Sequence, residues 1–207
     1  MADEKKIQEL EAISGPIIKK LLSMVGAARN AFNRHRRQSM AELQGLKSEL
    51  DQEIHRALTK VVALAARKSG AEQACLLRLQ SILNHLHIIG DTLGALTDPI
   101  QKKIQEGVLF SDKAVTQTNF LFDHHAGLLR SLLDIIKTDN EFLKKYVVEE
   151  GRKLIEACIV FATEHEARMI EGLCLPQAAP IFLSILDRMR NVGQHEVDIA
   201  NILAQKS

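Results

Sequence analysis

The sequence predicts an all-α protein built from two similar three-helix halves, residues 1–108 and 109–207. Three observations predict it. Aromatic residues make up only 4% of the 207, with no Trp and one Tyr, whereas strands draw on aromatic and β-branched side chains. Leu, Ala, Glu, Lys and Gln, which lose little rotamer freedom in a helix, are abundant instead. Apolar residues recur every three to four positions through long segments, and a stretch near residue 90 returns near residue 193.

Six segments follow from this spacing. The first covers 4–33, with Ile7, Leu10, Ile13, Ile17, Leu21, Met24 and Val25 as its stripe and Pro16 as a kink or restart. The second covers 39–68, with Leu43, Leu46, Leu50, Ile54, Leu58 and Val61. Ser39 is its expected N-cap, and Ser69-Gly70 its stop, with Gly able to take a left-handed cap. The third covers 71–106, with Leu76, Leu79, Leu83, Leu86, Ile89, Leu93 and Leu96, and a bend at Asp98-Pro99. Gly107 and Ser111-Asp112 separate the halves. The fourth covers 113–137, with Phe120, Leu121, Leu128, Leu132 and Ile135, and turns at Thr138-Asp139-Asn140. The fifth covers 141–171 and ends at Gly172. The sixth covers 176–204, with Phe182, Ile185, Met189, Val192, Ile199 and Leu203.

The bulk composition narrows the function. With 46% hydrophobic and 26% charged residues the chain can bury a core and is not of disordered type. A net charge of +1 gives no long-range field toward nucleic acid or anionic membrane, so no nucleic-acid partner is expected. Cys75, Cys158 and Cys174 form no CxxC or CxxH pair and read as small buried hydrophobes in a reducing compartment. The start, Met1-Ala2-Asp3-Glu4-Lys5-Lys6, lacks the apolar core of a signal peptide, and no run of apolar residues is long enough to span a membrane. The expected location is cytoplasmic, peripheral to the inner face of a membrane at most.

The repeat is specific. Ser81-Ile82-Leu83-Asn84-His85-Leu86-His87-Ile88-Ile89-Gly90-Asp91 aligns without a gap on Ser184-Ile185-Leu186-Asp187-Arg188-Met189-Arg190-Asn191-Val192-Gly193-Gln194, an offset of 103 residues. A mid-helix Gly costs about 1 kcal/mol relative to Ala. Two at one repeat position imply a shared cause: close approach of a neighbouring helix, or of a ligand, with helix crossing the favoured reason.

These residues carry a family resemblance. His87-Ile88-Ile89-Gly90-Asp91 resembles the E-R-I-G-D signature of the PhoU family, and the run from Arg190 to Ala200 resembles its fuller form, E-R-I-G-D-H-A-V-N-I-A. Gly193, His195, Val197, Ile199 and Ala200 match outright. His165 through Gly172-Leu173-Cys174-Leu175-Pro176 resembles a segment of the PhoU-like domain of sodium/phosphate cotransporters. The resemblance implies two tandem three-helix bundles of long antiparallel helices, spectrin-like in build. It implies an accessory regulator of phosphate transport or phosphate signalling, not an enzyme. Such a regulator would bind a phosphate transporter subunit or a sensor kinase, and a homodimer is expected.

The resemblance also implies metal binding through acidic residues spaced four apart on two helices of each half. Residues i and i+4 share a helix face, so two such pairs can converge on one cation. In the first half Asp51 and His55 on the second helix, with His87 and Asp91 on the third, supply two imidazoles and two carboxylates. That set suits zinc, iron or nickel better than magnesium. The bland alternative is a solvated polar face, with Glu53 and Asn84 either supporting the ligands or simply exposed. In the second half Arg190 and Gln194 replace the acids, and the fifth helix offers only Glu150 and Leu154, so no metal is expected there. Arg190 is expected to pair with Asp187 or Glu196.

Other groups suggest less. In Asp123-His124-His125 neighbouring side chains point about 100° apart, so both histidines read as surface residues. Glu164-His165-Glu166 lacks the second His of a zincin motif, and His165 reads as packing or polar rim. Arg29, His35, Arg36 and Arg37 form a basic run near the first turn, read as solvated. Neither a Gly-rich phosphate loop nor a nucleophile elbow is present. Two further readings stay open beside the regulator. One is a metal-dependent helical enzyme using Asp51, His55, His87 and Asp91 to activate water. The other is a metal-free structural or dimerising bundle.

Overall fold

Every regular element among the described residues is a helix. The computed structural model describes residues 2–34 and 37–205, with side chains from residue 8 onward, that of Arg37 excepted. The helices are α1 (Ala2–Arg34), α2 (Arg37–Ala65), α3 (Gly70–Gly94), α4 (Thr97–Gln105), α5 (Asp112–Thr138), α6 (Glu141–Ile170) and α7 (Ala178–Ala204). The six expected segments are all present, and the third is divided in two.

The apolar stripes of the sequence face inward with one clear exception. Ile17, Leu21 and Met24 of α1, Leu43, Leu50 and Ile54 of α2, and Leu83, Leu86 and Ile89 of α3 are buried. So are all six stripe residues of α7, from Phe182 to Leu203. Phe120, expected on the buried stripe of α5, is exposed and stacks on His124 one turn later and on Phe161 of α6. The true inward face of α5 runs through Leu121, Phe122, His125, Leu129 and Leu132.

Four boundaries differ from expectation. Pro16 lies inside α1 without breaking it; the neighbouring Ile17, Ile18 and Leu21 are fully buried. Their burial, about 1.5–3 kcal/mol per side chain, offsets the lost hydrogen bond. Ser39 is not an N-cap but a buried residue inside α2, because Met40 and Leu43 carry the buried face back to the helix start. The break before Pro99 comes at Ala95–Leu96 instead of at Asp98. That places Pro99 in the first turn of α4, where its missing N–H leaves nothing unsatisfied. Thr97 Oγ1 donates to the Gly94 carbonyl at 2.9 Å across the break.

The fourth is the stop of α2: the helix ends at Ala65, and Ser69-Gly70, expected to close it, instead opens α3 with Ser69 at the N-cap position. The remaining punctuation follows the expected residues. Gly107 (φ 63°) and Gly172 (φ 73°) take left-handed backbone that only glycine adopts cheaply. At each, paired backbone bonds close the helix: Val108 to Lys103 and Gly107 to Ile104, Leu173 to Arg168 and Gly172 to Met169. Ser111 caps α5 by accepting from Ala114 N–H, and Asn140 caps α6 by accepting from Phe142 and Leu143 N–H.

Within each half the second and third long helices pack along one another, α2 on α3 and α6 on α7. Across the halves α1 packs on α5 and α3 on α7, so one apolar core runs from Ile17 to Leu203. Arg29, read from sequence as part of a solvated basic run, crosses from α1 to α5. It donates to Asn119 Oδ1 at 3.0 Å and pairs with Asp123 at 2.6 Å. His35 and Arg36 lie outside the described residues, as does the side chain of Arg37. The α3–α7 seam is antiparallel: Arg78 meets the carbonyl of Gln205, His85 meets His195, and Thr92 meets Asn191.

Candidate functional site

The glycines of the repeat mark the same crossing twice. A Cβ on Gly90 would overlap Leu50 of α2 and touch Leu21 of α1. A Cβ on Gly193 would lie 3.3 Å from Ile155 of α6 and 3.7 Å from His125 of α5. In each half the third long helix thus presses its glycine against the other two. Gly151 of α6 completes the second crossing, where a Cβ would lie 2.5 Å from Val197.

Around Gly90 the structure brings together three of the four residues picked from sequence. His87 Nε2 lies 3.2 Å from Asp51 Oδ1 and 3.8 Å from Asp91 Oδ1. His55 is not among them: it sits one turn further along α2, on an exposed face. The fourth member is Lys47, one turn before Asp51. Its Nζ lies 2.5 Å from Asp51 Oδ2 and 2.8 Å from Asp91 Oδ1. The lysine side chain is only 20% exposed, with its stem against Gly94 of α3. Partial burial alone would lower its pKa, but the hydrogen bonds and charges of Asp51 and Asp91 outweigh that and hold the ammonium above its usual range. The carboxylate pair is therefore bridged by a cation from its own chain, which offsets one of its two charges. Glu53 turns the other way and pairs with Lys20 of α1 at 3.1 Å, and Asn84 is exposed.

The corresponding face of the second half carries different chemistry. Ile155 faces Gly193, Gly151 stands where Lys47 stands in the first half, and Gln194 donates to Asp198 at 3.0 Å. Arg190 pairs with Asp187 at 2.8 Å, one of its two expected partners. The other, Glu196, is fully buried and turns to the core.

That core contact overturns the surface reading of His125. His125 and Glu196 are both 0% exposed, with Nδ1 and Oε2 2.9 Å apart. Burial pushes the Glu196 carboxyl above its usual range, and His125 opposes this through its charge and hydrogen bond. Two polar atoms of the pair, His125 Nε2 and Glu196 Oε1, have no partner among the described residues. His165 is likewise buried and stacks on Phe182 at 4.7 Å, a packing role. Of the cysteines only Cys158 is buried, and burial pushes its thiol up to about 12, which makes it unreactive; Cys75 and Cys174 are half-buried.

The α3–α7 seam holds a cluster that sequence reading missed. His85 Nδ1 and His195 Nδ1 are 2.9 Å apart, and Asp198 Oδ2 lies 3.9 Å from the first and 3.7 Å from the second. Burial lowers the pKa of His195, the charge of His85 lowers it further, and Asp198 opposes both. His195 had drawn notice only as a motif residue, and its partner comes from the other half. The antiparallel pairing of repeat-related helices around Gly90 and Gly193 was the available signal.

No protein-family model matches the sequence, and no curated protein matches it. Solved structures do. The crystal structure of PhoU from Pseudomonas aeruginosa superposes with a TM-score of 0.86 at 14% identity, over 96% of this chain and 95% of that one. The phosphate transport system regulatory protein PhoU from Streptococcus pneumoniae superposes with a TM-score of 0.83 at 13% identity, over 95% and 92%. With matching helices from end to end, the chain has the PhoU fold.

Proposed function

We propose that this protein is an accessory regulator of phosphate transport or phosphate signalling. It binds a phosphate transporter subunit or a sensor kinase at the cytoplasmic face of the membrane, and it works as a homodimer. The observation that carries this reading is the end-to-end likeness to two PhoU structures, one of them described as regulatory. The duplicated glycine signature supports it from the sequence side. Among the described residues no helix is long and apolar enough to cross a membrane, so contact with a transporter would come through a surface. Exposed Ile170, Leu173 and Leu175 at the α6–α7 turn provide apolar area for such contact.

The residues of the first half do not fit a resident metal ion. Asp51, His87 and Asp91 have the right donor types, but the Lys47 ammonium lies between the two carboxylates, and a metal would have to displace it. In this reading Lys47 is the cation of the site, and it locks α2 to α3 without a cofactor.

The test is genetic. Deleting the gene should change phosphate uptake and phosphate-responsive expression, and tagged protein should recover a transporter subunit or sensor kinase from native membranes. Unchanged phosphate physiology in the deletion strain would overturn the reading.

A further inference from the structure

Two imidazoles and a carboxylate from opposite halves of the chain converge at the α3–α7 seam. We propose that His85, His195 and Asp198 form a binding site for a zinc-class transition metal ion, held between the two halves. This rests on the seam geometry alone and stands apart from the phosphate reading.

The distances are those of a ligand set. From the three separations of 2.9, 3.7 and 3.9 Å, the point equidistant from both Nδ1 atoms and Asp198 Oδ2 lies about 2.1 Å from each. That matches zinc–imidazole and zinc–carboxylate bond lengths of about 2.0–2.2 Å, and a tetrahedral arrangement needs the two nitrogens, now at hydrogen-bond distance, to part by about 0.4 Å. Two nitrogens and one oxygen select zinc, iron, cobalt or nickel over magnesium or calcium.

Asp198 is also oriented for the task. The Gln194 amide donates to Oδ1 at 3.0 Å, leaving Oδ2 turned toward the imidazoles. Among the described residues no lysine or arginine pairs with Asp198, in contrast to the Lys47-filled cluster on α2 and α3. The side chains of His85, His195 and Asp198 are 23%, 16% and 32% exposed, so a fourth position is open to water.

The site occurs once. At the 103-residue offset its counterparts at the other end of the seam are Arg188, Thr92 and Ala95, which cannot bind a cation together. A bound ion would fasten α3 to α7, and thereby one half to the other.

The experiment uses the full chain, stripped of metal and titrated with Zn2+ by calorimetry and with Co2+ by visible absorption. One equivalent per chain, a four-coordinate Co2+ band and a raised melting temperature are expected. His195→Ala and Asp198→Asn should each weaken Zn2+ binding roughly a hundredfold and remove the band, and Gln194→Ala should weaken it roughly tenfold. Asp91→Asn should change neither. Circular dichroism confirms that each variant is folded, and Asp198→Asn keeps the shape of the site if His195→Ala does not. Absence of Zn2+ and Co2+ binding by the wild-type chain, or full binding by both His195→Ala and Asp198→Asn, overturns the proposal. Neither result bears on whether deletion alters phosphate uptake.

Discussion

Gly90 and Gly193 each press against two neighbouring helices, yet the polar groups beside them lie on opposite sides of the crossing. In the first half the core beside the glycine is Leu21 with Leu93, and the outer face is ionic, with Lys47, Asp51, His87 and Asp91. In the second half the core holds His125 and Glu196, and the outer face is close-packed through Gly151, Val197 and Ile155. Glu196 stands at the repeat position of Leu93, and His125 touches Gly193 as Leu21 touches Gly90. The shared feature is thus the backbone approach. The side chains that fill it can be leucines or a hydrogen-bonded His–Glu pair, and the outer contact can be a salt bridge or a bare glycine.

The largest test of this comparison is in the buried pair. We predict that Glu196→Ala destabilises the protein by about 3–5 kcal/mol, since it strands His125 in an apolar core. The double substitution His125→Leu with Glu196→Leu copies the first half, and it should unfold at the wild-type denaturant midpoint or above. A double variant no more stable than Glu196→Ala would show that the two cores are not interchangeable.

The glycines come next. Gly151→Ala should cost about 1–2 kcal/mol in urea unfolding, because the overlap with Val197 outweighs the gain in helix propensity. Gly45→Ala in α2 meets nothing within 4 Å and should stabilise by up to about 1 kcal/mol. Equal effects at the two sites would remove close approach as the reason for Gly151.

The smallest stability effect belongs to Lys47. Its cluster is half exposed, so Lys47→Ala should cost no more than about 1 kcal/mol by thermal melting. It should also strengthen divalent-ion binding at Asp51, His87 and Asp91, which in the wild type share Lys47.

These contrasts show where the sequence was informative. Helix number, the stripes of α2, α3 and α7, and the breaks at Gly107, Thr138-Asp139-Asn140 and Gly172 were legible because they rest on local periodicity and on residues with strong backbone preferences. The glycine crossing was legible because the repeat displayed it twice. His125 was misread because its partner lies 71 residues away, and nothing in Asp123-His124-His125 reveals which face is inward. The acidic i,i+4 pattern on α2 points from Asp51 toward His55, whereas Lys47 lies one turn the other way. Helix α3 meets α2 one turn earlier, and Gly94 facing Lys47 was the clue. The seam cluster needed the packing of one half on the other, which no single segment encodes.

The most direct measurement is the number of zinc ions bound per chain by the wild-type protein and by Lys47→Ala and His195→Ala. An internal lysine cation in the first half and a histidine site at the seam predict one ion in the wild type, two in Lys47→Ala and none in His195→Ala. Two ions in the wild type, or one that survives His195→Ala, would contradict that assignment.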